Sequence, residues 1–200
     1  MKISILTFEG FNEIDCLLAF RILKWLRKDD WDIKVCCPSL EVTSMGGLTI
    51  RAQEMLEEVN KADAVIVGSG LMTRDIINDE SIMSRINLNP SHQIIGAQCS
   101  GTLMLAKLGI LDEVPACTDS VTKPWVQEAG IKVLNQPFFA KGNVATAGGC
   151  LASSYLTAWI ITKLSDLDTA TKALHYFAPV GEKDEFVERA VKNISPYLLY

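Results

Sequence analysis

The feature that most restricts the fold is a series of short, continuously apolar segments that alternate with helical segments. Residues 64–67 and 93–97 are apolar at almost every position, whereas a strand with one face in water alternates apolar and polar residues. Continuous apolar strands separated by helices are typical of a parallel sheet that is covered on both faces. We therefore predict one doubly wound α/β domain over residues 1–200, with a mostly parallel sheet.

The predicted elements follow from hydrophobic periodicity and from turn residues. The predicted strands are residues 2–8, 32–37, 64–67, 93–97, 132–133 and 143–146, with a small hairpin around Gly46 and Gly47. The predicted helices are residues 12–28, 101–108, 126–130, 150–164, 166–176 and 184–194, with two short helices around Asp75 and Ile82. In a sheet of this kind, ligands bind outside the carboxyl ends of the strands.

Charge and hydropathy exclude several classes of partner. The 200 residues carry a formal net charge of −5, so the chain has no general attraction for nucleic acid or anionic membranes. No apolar run approaches the roughly 20 residues that span a bilayer, and residues 1–6 are typical of a strand rather than of a signal peptide. We expect a cytoplasmic protein that acts on a small molecule.

Six cysteines are scattered along the chain, at Cys16, Cys36, Cys37, Cys99, Cys117 and Cys150. The sequence has no Cys-x-x-Cys motif and no cluster of cysteine and histidine, so we predict no metal site and no cofactor. In the cytoplasm these side chains are free thiols, and free thiols are usually small core residues. We interpret five of them in this way and treat Cys99 separately.

Cys99 follows a buried strand directly and precedes a helix. Small residues lie two positions before it, at Ala97, and two positions after it, at Gly101. This pattern is typical of a nucleophile elbow, with cysteine in place of serine. A helix N-terminus favours the thiolate, so we expect a lowered pKa for Cys99. The backbone N–H of Ser100 is a candidate donor to an oxyanion.

Two other segments end at the same predicted edge of the sheet. Gly70 lies in a Gly-Ser-Gly loop after residues 64–67 and is a candidate second N–H donor, although an ordinary glycine-rich loop explains the same pattern. Asp15 lies three residues after Asn12, a good N-cap, so it serves either the helix start or the site. In the second case a protonated Asp15 would donate a hydrogen bond to the sulfur.

The order and spacing of five segments resemble the ThiJ/PfpI superfamily, also called DJ-one-like or class I glutamine amidotransferase-like. The matching segments are residues 10–15, 63–70, 96–101, 108–112 and 145–149. The resemblance implies a flavodoxin-like fold that is usually a homodimer. It also implies that Cys99 is the nucleophile, that Asp15 occupies the acid position, and that backbone donors lie near Gly70 and Ser100.

The aspartate at position 15 and the segment at 108–112 resemble the isonitrile hydratase-like branch more than the deglycase branch. Protease-like members carry histidine directly after the nucleophile, where this chain has Ser100, which disfavours a protease or amidase. Asp119 occupies the place where hydratase and glyoxalase branches often carry histidine. Asp119 and Gly148 are candidate residues of the substrate pocket.

Two functions from different classes remain open. In the first, the protein is a hydratase or hydrolase in which Cys99 attacks a small electrophile and Asp15 handles the proton. In the second, the protein is not an enzyme, and Cys99 is a redox-sensing thiol whose oxidised form is held by Asp15 in a stress response.

Overall fold

Seven strands form one sheet in the computed structural model, which describes residues 1–198. In chain order the strands are β1 (Lys2–Leu6), β2 (Asp32–Cys37), β3 (Glu41–Thr43), β4 (Thr49–Arg51), β5 (Glu54–Met55), β6 (Ala64–Val67), β7 (Ile94–Gln98), β8 (Phe138–Lys141) and β9 (Val144–Ala147). The sheet order is β5-β2-β1-β6-β7-β9-β8, and β3 and β4 form a separate hairpin. Only the pairing of β8 with β9 is antiparallel in this sheet. The predicted flavodoxin-like, mostly parallel sheet is confirmed.

Helices cover both faces of the sheet. They are α1 (Glu13–Trp25), α2 (Thr73–Ile76), α3 (Glu80–Met83), α4 (Gly101–Lys107), α5 (Lys123–Glu128), α6 (Ser153–Leu164), α7 (Leu167–Phe177) and α8 (Lys183–Ile194). Short 3₁₀ segments lie at Leu56–Lys61, Cys150–Ala152 and Ser195–Tyr197. Residues 199 and 200, the last two of the predicted domain, lie outside the described residues.

Two apolar cores explain why the strands are apolar throughout. Ile66 faces the core formed with α1, α6 and α7, whereas its neighbours Val65 and Val67 face the core formed with α4. Successive side chains of a strand point to opposite faces, so a strand covered on both sides needs apolar residues at every position.

The prediction misses two strands and misplaces others. Residues 132–133 form only an isolated bridge, between Val133 and Ala116, while β5 and β8 were not predicted. β8 depends on its antiparallel partner β9, and such a contact is not visible in local sequence. Helix α5 begins at Lys123, with Pro124 in its first turn, because proline is favourable at a helix start.

The pairing of β1, β6 and β7 brings three chain segments to one place. Leu6 pairs with Val67, and Val67 pairs with Ala97, so the carboxyl ends of the three strands are level. The segments that follow these strands carry Asp15, Ser69 and Cys99. Among the described residues no helix has the length and apolarity required to cross a bilayer.

Candidate active site

Cys99 lies at the sharp turn between β7 and α4, with a backbone φ of +47°. This left-handed conformation costs a side-chain-bearing residue roughly 1–2 kcal/mol. Cys99 as a whole is only 4% exposed. The strand, turn and helix that the sequence predicts around Cys99 are therefore present, and the backbone at the turn is strained as expected of a nucleophile elbow.

Gly101 explains how tightly this turn is packed. A Cβ atom at this position would lie 2.5 Å from the carbonyl oxygen of Val67 and 2.7 Å from that of Gly68. Both neighbours are backbone atoms at the end of β6, so they cannot rotate away. A side chain larger than that of glycine would push α4 and Cys99 away from the sheet.

Asp15 is completely buried beside Cys99. One of its carboxylate oxygens and the sulfur of Cys99 lie within 4.8 Å of each other. The Ser69 hydroxyl donates to Oδ2 of Asp15, while Oδ1 has no hydrogen-bond partner among the described residues. The N-cap of α1 is Asn12, whose Oδ1 accepts the N–H of Ile14 at 3.0 Å. The structure thus places Asp15 in the site, and the side-chain cap of the helix is supplied by Asn12.

The electrostatics of Cys99 differ from the expectation. Burial raises the pKa of the Cys99 thiol, and the nearby carboxylates of Asp15 and Asp119 raise it further. The backbone N–H of Gly149 only partly opposes this change. The prediction of a lowered pKa is wrong, because desolvation and like charge both favour the neutral thiol. The Cys99–Asp15 pair therefore carries one negative charge more readily than two.

The Gly70 N–H does not point to an open oxyanion site. It donates to Oγ of Ser100 at 3.0 Å, and the same Oγ lies 2.8 Å from Oγ1 of Thr73. The prediction of Gly70 as an oxyanion donor is therefore corrected, because the hydroxyl that follows Cys99 occupies its N–H. Within residues 1–198 the backbone N–H of Ser100 makes no hydrogen bond, so it is free to bind an oxyanion.

Asp119 lines the Cys99 cavity and also the adjacent cavity that contains Gly148. A cavity of about 370 Å³ contains Cys99, Asp15 and Asp119 among its lining residues. Oδ1 of Asp119 accepts the N–H groups of Val121 at 2.8 Å and Thr122 at 2.9 Å. Gly148 lines an adjacent cavity of about 560 Å³ and packs against the backbone of Thr118.

The sequence interpretation misses Cys150 as a site residue. Cys150 is partly exposed and lines the Cys99 cavity, so its interpretation as a core residue is wrong. Nδ2 of Asn12 donates to its sulfur at 3.5 Å. The available signal was its position just after Gly148 and Gly149, where β9 ends at the same edge as β7.

Gln98 also reaches the site. Its Nε2 donates to the sulfur of Cys99 at 3.5 Å and to the carbonyl of Gly149 at 2.9 Å. These bonds connect the elbow with the loop that carries Cys150. The side chain is completely buried, which holds both contacts away from bulk water.

Asp15, Cys99 and Cys150 together offer one carboxylate oxygen and two sulfurs, all within 4.8 Å of one another. Zn²⁺ accepts donors of these types. In the described part of the chain no other group of three such donors is found. The absence of a metal from the working protein stays a prediction.

Both histidines lie outside the Cys99 cavity. His175 lines a larger groove of about 680 Å³ between α7 and α8, beside Trp25, and His92 is an exposed partner of Ser91. Size alone does not make that groove the site, because it contains neither Cys99 nor Asp15.

Comparison with known proteins identifies the family. Solved structures with similar folds include Schizosaccharomyces pombe DJ-1, with 15% identity and a TM-score of 0.75 over 90% of this chain and 100% of that one. They also include oxidized Toxoplasma gondii DJ-1, with 13% identity and a TM-score of 0.74 over 88% of this chain and 97% of that one. A third is a ThiJ/PfpI domain protein from Brachyspira murdochii, with 18% identity and a TM-score of 0.71 over 82% of this chain and 95% of that one. A search of curated proteins found no significant match. The model of the DJ-1/PfpI family matches residues 1–163, and the chain belongs to that family.

Proposed function

We propose that the protein is a cysteine-dependent hydratase that adds water to a small, neutral electrophile of the isonitrile type. The observation that carries this proposal is the buried pair of Cys99 and Asp15 in a cavity to which neither histidine contributes. When the only partner of a thiol is a carboxylate, that carboxylate is a weak general base. A weak general base is sufficient for attack on an activated carbon electrophile but poorly suited to attack on an amide. The proposal places the protein nearest the isonitrile hydratase-like branch and disfavours protease or amidase activity.

The first step moves the thiol proton through Asp15. Because the pKa of Cys99 is raised, the resting sulfur is a protonated thiol. As the sulfur attacks the terminal carbon of R–NC, Oδ1 of Asp15 takes the thiol proton and returns it to that carbon. A C–S bond forms and one C–N π bond breaks, which gives the thioimidate Cys99–S–CH=N–R.

The second step releases the product. Water adds to the thioimidate carbon while Asp15 takes one of its protons. The C–S bond then breaks, the proton returns to the sulfur, and the nitrogen receives the other proton. The product is the formamide R–NH–CHO, so the overall reaction adds one molecule of water to one molecule of isonitrile. During addition the free N–H of Ser100 stabilises developing negative charge.

The cavity lining supports a neutral and largely apolar substrate. Met45, Leu71 and Val121 lie around it with 48%, 68% and 68% of their surfaces exposed. Among residues 1–198, two aspartates line the cavity, and no lysine, arginine or histidine does so. An anionic substrate would meet only like charge there.

The test is turnover of a panel of alkyl and aryl isonitriles, small reactive aldehydes and simple amides, with product identified by mass spectrometry. We expect formamide from isonitriles, and loss of that activity in Cys99→Ala. The matched control is Cys37→Ala, which removes a buried thiol from β2 outside the cavity. Full activity of folded Cys99→Ala would overturn the mechanism, and cleavage of amides alone would overturn the substrate class.

A redox-sensing role is the second candidate function, and the carboxylate of Asp15 beside the oxidisable sulfur favours it. In this role two molecules of peroxide convert Cys99 through the sulfenic acid to sulfinate, and protonated Asp15 donates a hydrogen bond to it. Peroxide oxidation that is selective for Cys99, together with no turnover of any panel compound, would support this role over the enzyme.

The proposal also includes a cytoplasmic homodimer that needs no cofactor and binds neither nucleic acid nor membranes. Light scattering on the purified chain tests the dimer. Activity that persists after exhaustive dialysis against a chelator tests the absence of a metal requirement.

A further inference from the structure

We propose that Cys150 is a resolving cysteine that forms a reversible disulfide with oxidised Cys99, so that the protein reduces hydroperoxides in two-electron steps. The two sulfurs lie within 4.8 Å of each other and of an Asp15 oxygen. Cys150 also lines the same cavity as Cys99. The inference goes beyond the proposed hydration and does not depend on it.

The cavity separates this pair from the other thiols. Cys16, Cys36, Cys37 and Cys117 are fully buried and do not line the cavity. Cys150 is the more exposed member of the pair, so an external reductant reaches it first. The amide of Asn12 donates to its sulfur at 3.5 Å, which partly opposes the rise in the pKa of Cys150 caused by burial and by Asp15.

The loop around Cys150 allows the sulfurs to approach. A disulfide has an S–S length of about 2.05 Å, so the pair must close by less than roughly 3 Å. Cys150 follows Gly149, whose φ is +86°, and no neighbouring atom lies within 4 Å of the position that a Cβ of residue 149 would occupy. The tight elbow holds Cys99 in place, so we expect Cys150 to be the residue that moves when the two sulfurs approach.

The chemistry balances in two steps. In the first, Asp15 takes the thiol proton as the Cys99 sulfur attacks the terminal oxygen of ROOH, the O–O bond breaks, and the proton passes to the leaving oxygen, so that Cys99–SOH and ROH form. The sulfur loses two electrons and the hydroperoxide gains them. In the second, the Cys150 sulfur attacks that of Cys99, the S–O bond breaks, and water leaves with the Cys150 proton. Oδ1 of Asp15, which is buried and has no hydrogen-bond partner among residues 1–198, carries this proton. A dithiol reductant restores both thiols.

Trypsin makes the test direct. Cleavage at Lys and Arg gives residues 86–107 with Cys99 as their one cysteine, and residues 142–163 with Cys150 as theirs. The full chain is treated with an equimolar amount of hydrogen peroxide, alkylated, digested without reductant and analysed by mass spectrometry. We expect these two peptides to be cross-linked, and the cross-link to disappear on treatment with dithiothreitol.

Variants complete the test. With several equivalents of hydrogen peroxide, we expect Cys150→Ala to form no cross-link and to accumulate Cys99 sulfinate that dithiothreitol does not reverse, whereas Cys117→Ala should behave as the wild type. Sulfinate at Cys99 of the wild type without the cross-link, or a cross-link to another cysteine, would overturn the inference. Isonitrile turnover is measured separately on the reduced protein, so a failure of the proposed hydratase leaves the peptide result unchanged.

Discussion

Replacement of Asp15 by asparagine separates the two effects that the carboxylate has on Cys99. Asparagine has nearly the same shape, and its amide oxygen can still accept the Ser69 hydroxyl that now donates to Oδ2. The negative charge and the ability to take a proton are lost. We therefore expect the fold to survive and the chemistry to fail.

The magnitude follows from the distance between the groups. Two unit charges no more than 4.8 Å apart repel each other by about 3 kcal/mol or more at an effective dielectric constant of about 20. Removal of this repulsion lowers the pKa of Cys99, whose rise is caused first by burial and then by Asp15. Loss of a general base costs about 10²–10⁴-fold in turnover. Asp15→Asn should thus form its thiolate at lower pH and still turn over substrate far more slowly.

The assay follows alkylation of the Cys99 peptide, residues 86–107, by iodoacetamide as a function of pH. In the wild type the rate should rise only toward alkaline pH, and in Asp15→Asn the rise should move to lower pH. Asp112→Asn, an exposed aspartate outside the cavity, is the matched control. An unchanged alkylation profile would refute the electrostatic coupling, and wild-type or faster turnover in Asp15→Asn would refute the role of Asp15 as proton carrier.

Three further predictions concern the elbow. In urea unfolding, Cys99→Gly should be more stable than Cys99→Ala by about 1 kcal/mol, because glycine adopts the φ of +47° without strain. A more stable Cys99→Ala would contradict the conclusion that the backbone is strained at the elbow. Gly101→Ala should lose about 1–3 kcal/mol of unfolding free energy through contact with the Val67 carbonyl, and unchanged stability would show that α4 moves freely. Ser100→Ala should lose about 1–3 kcal/mol by leaving the Gly70 N–H unpaired, with a smaller turnover loss than Asp15→Asn; a loss as large would indicate a direct role for the hydroxyl.

Local patterns predicted the parts of the molecule that depend on a few neighbouring residues. The apolar runs at residues 64–67 and 93–97 were enough to predict covered parallel strands, because a strand between two cores needs apolar side chains on both faces. The spacing of Cys99 and Gly101 was enough to predict the elbow, since the steric limits of a strand-to-helix turn are local. β8 was missed because its strand character depends on pairing with β9.

The chemistry of the site was decided by contacts between distant segments. The sequence left Asp15 balanced between capping and function, and only the packing of α1 shows it buried beside Cys99. The pKa of Cys99 rises because burial and two carboxylates act together. The occupied N–H of Gly70 and the second thiol at Cys150 likewise depend on where other loops end. Backbone conformation is encoded by neighbours along the chain, whereas desolvation, charge and hydrogen bonding depend on every atom that folding brings within a few ångströms.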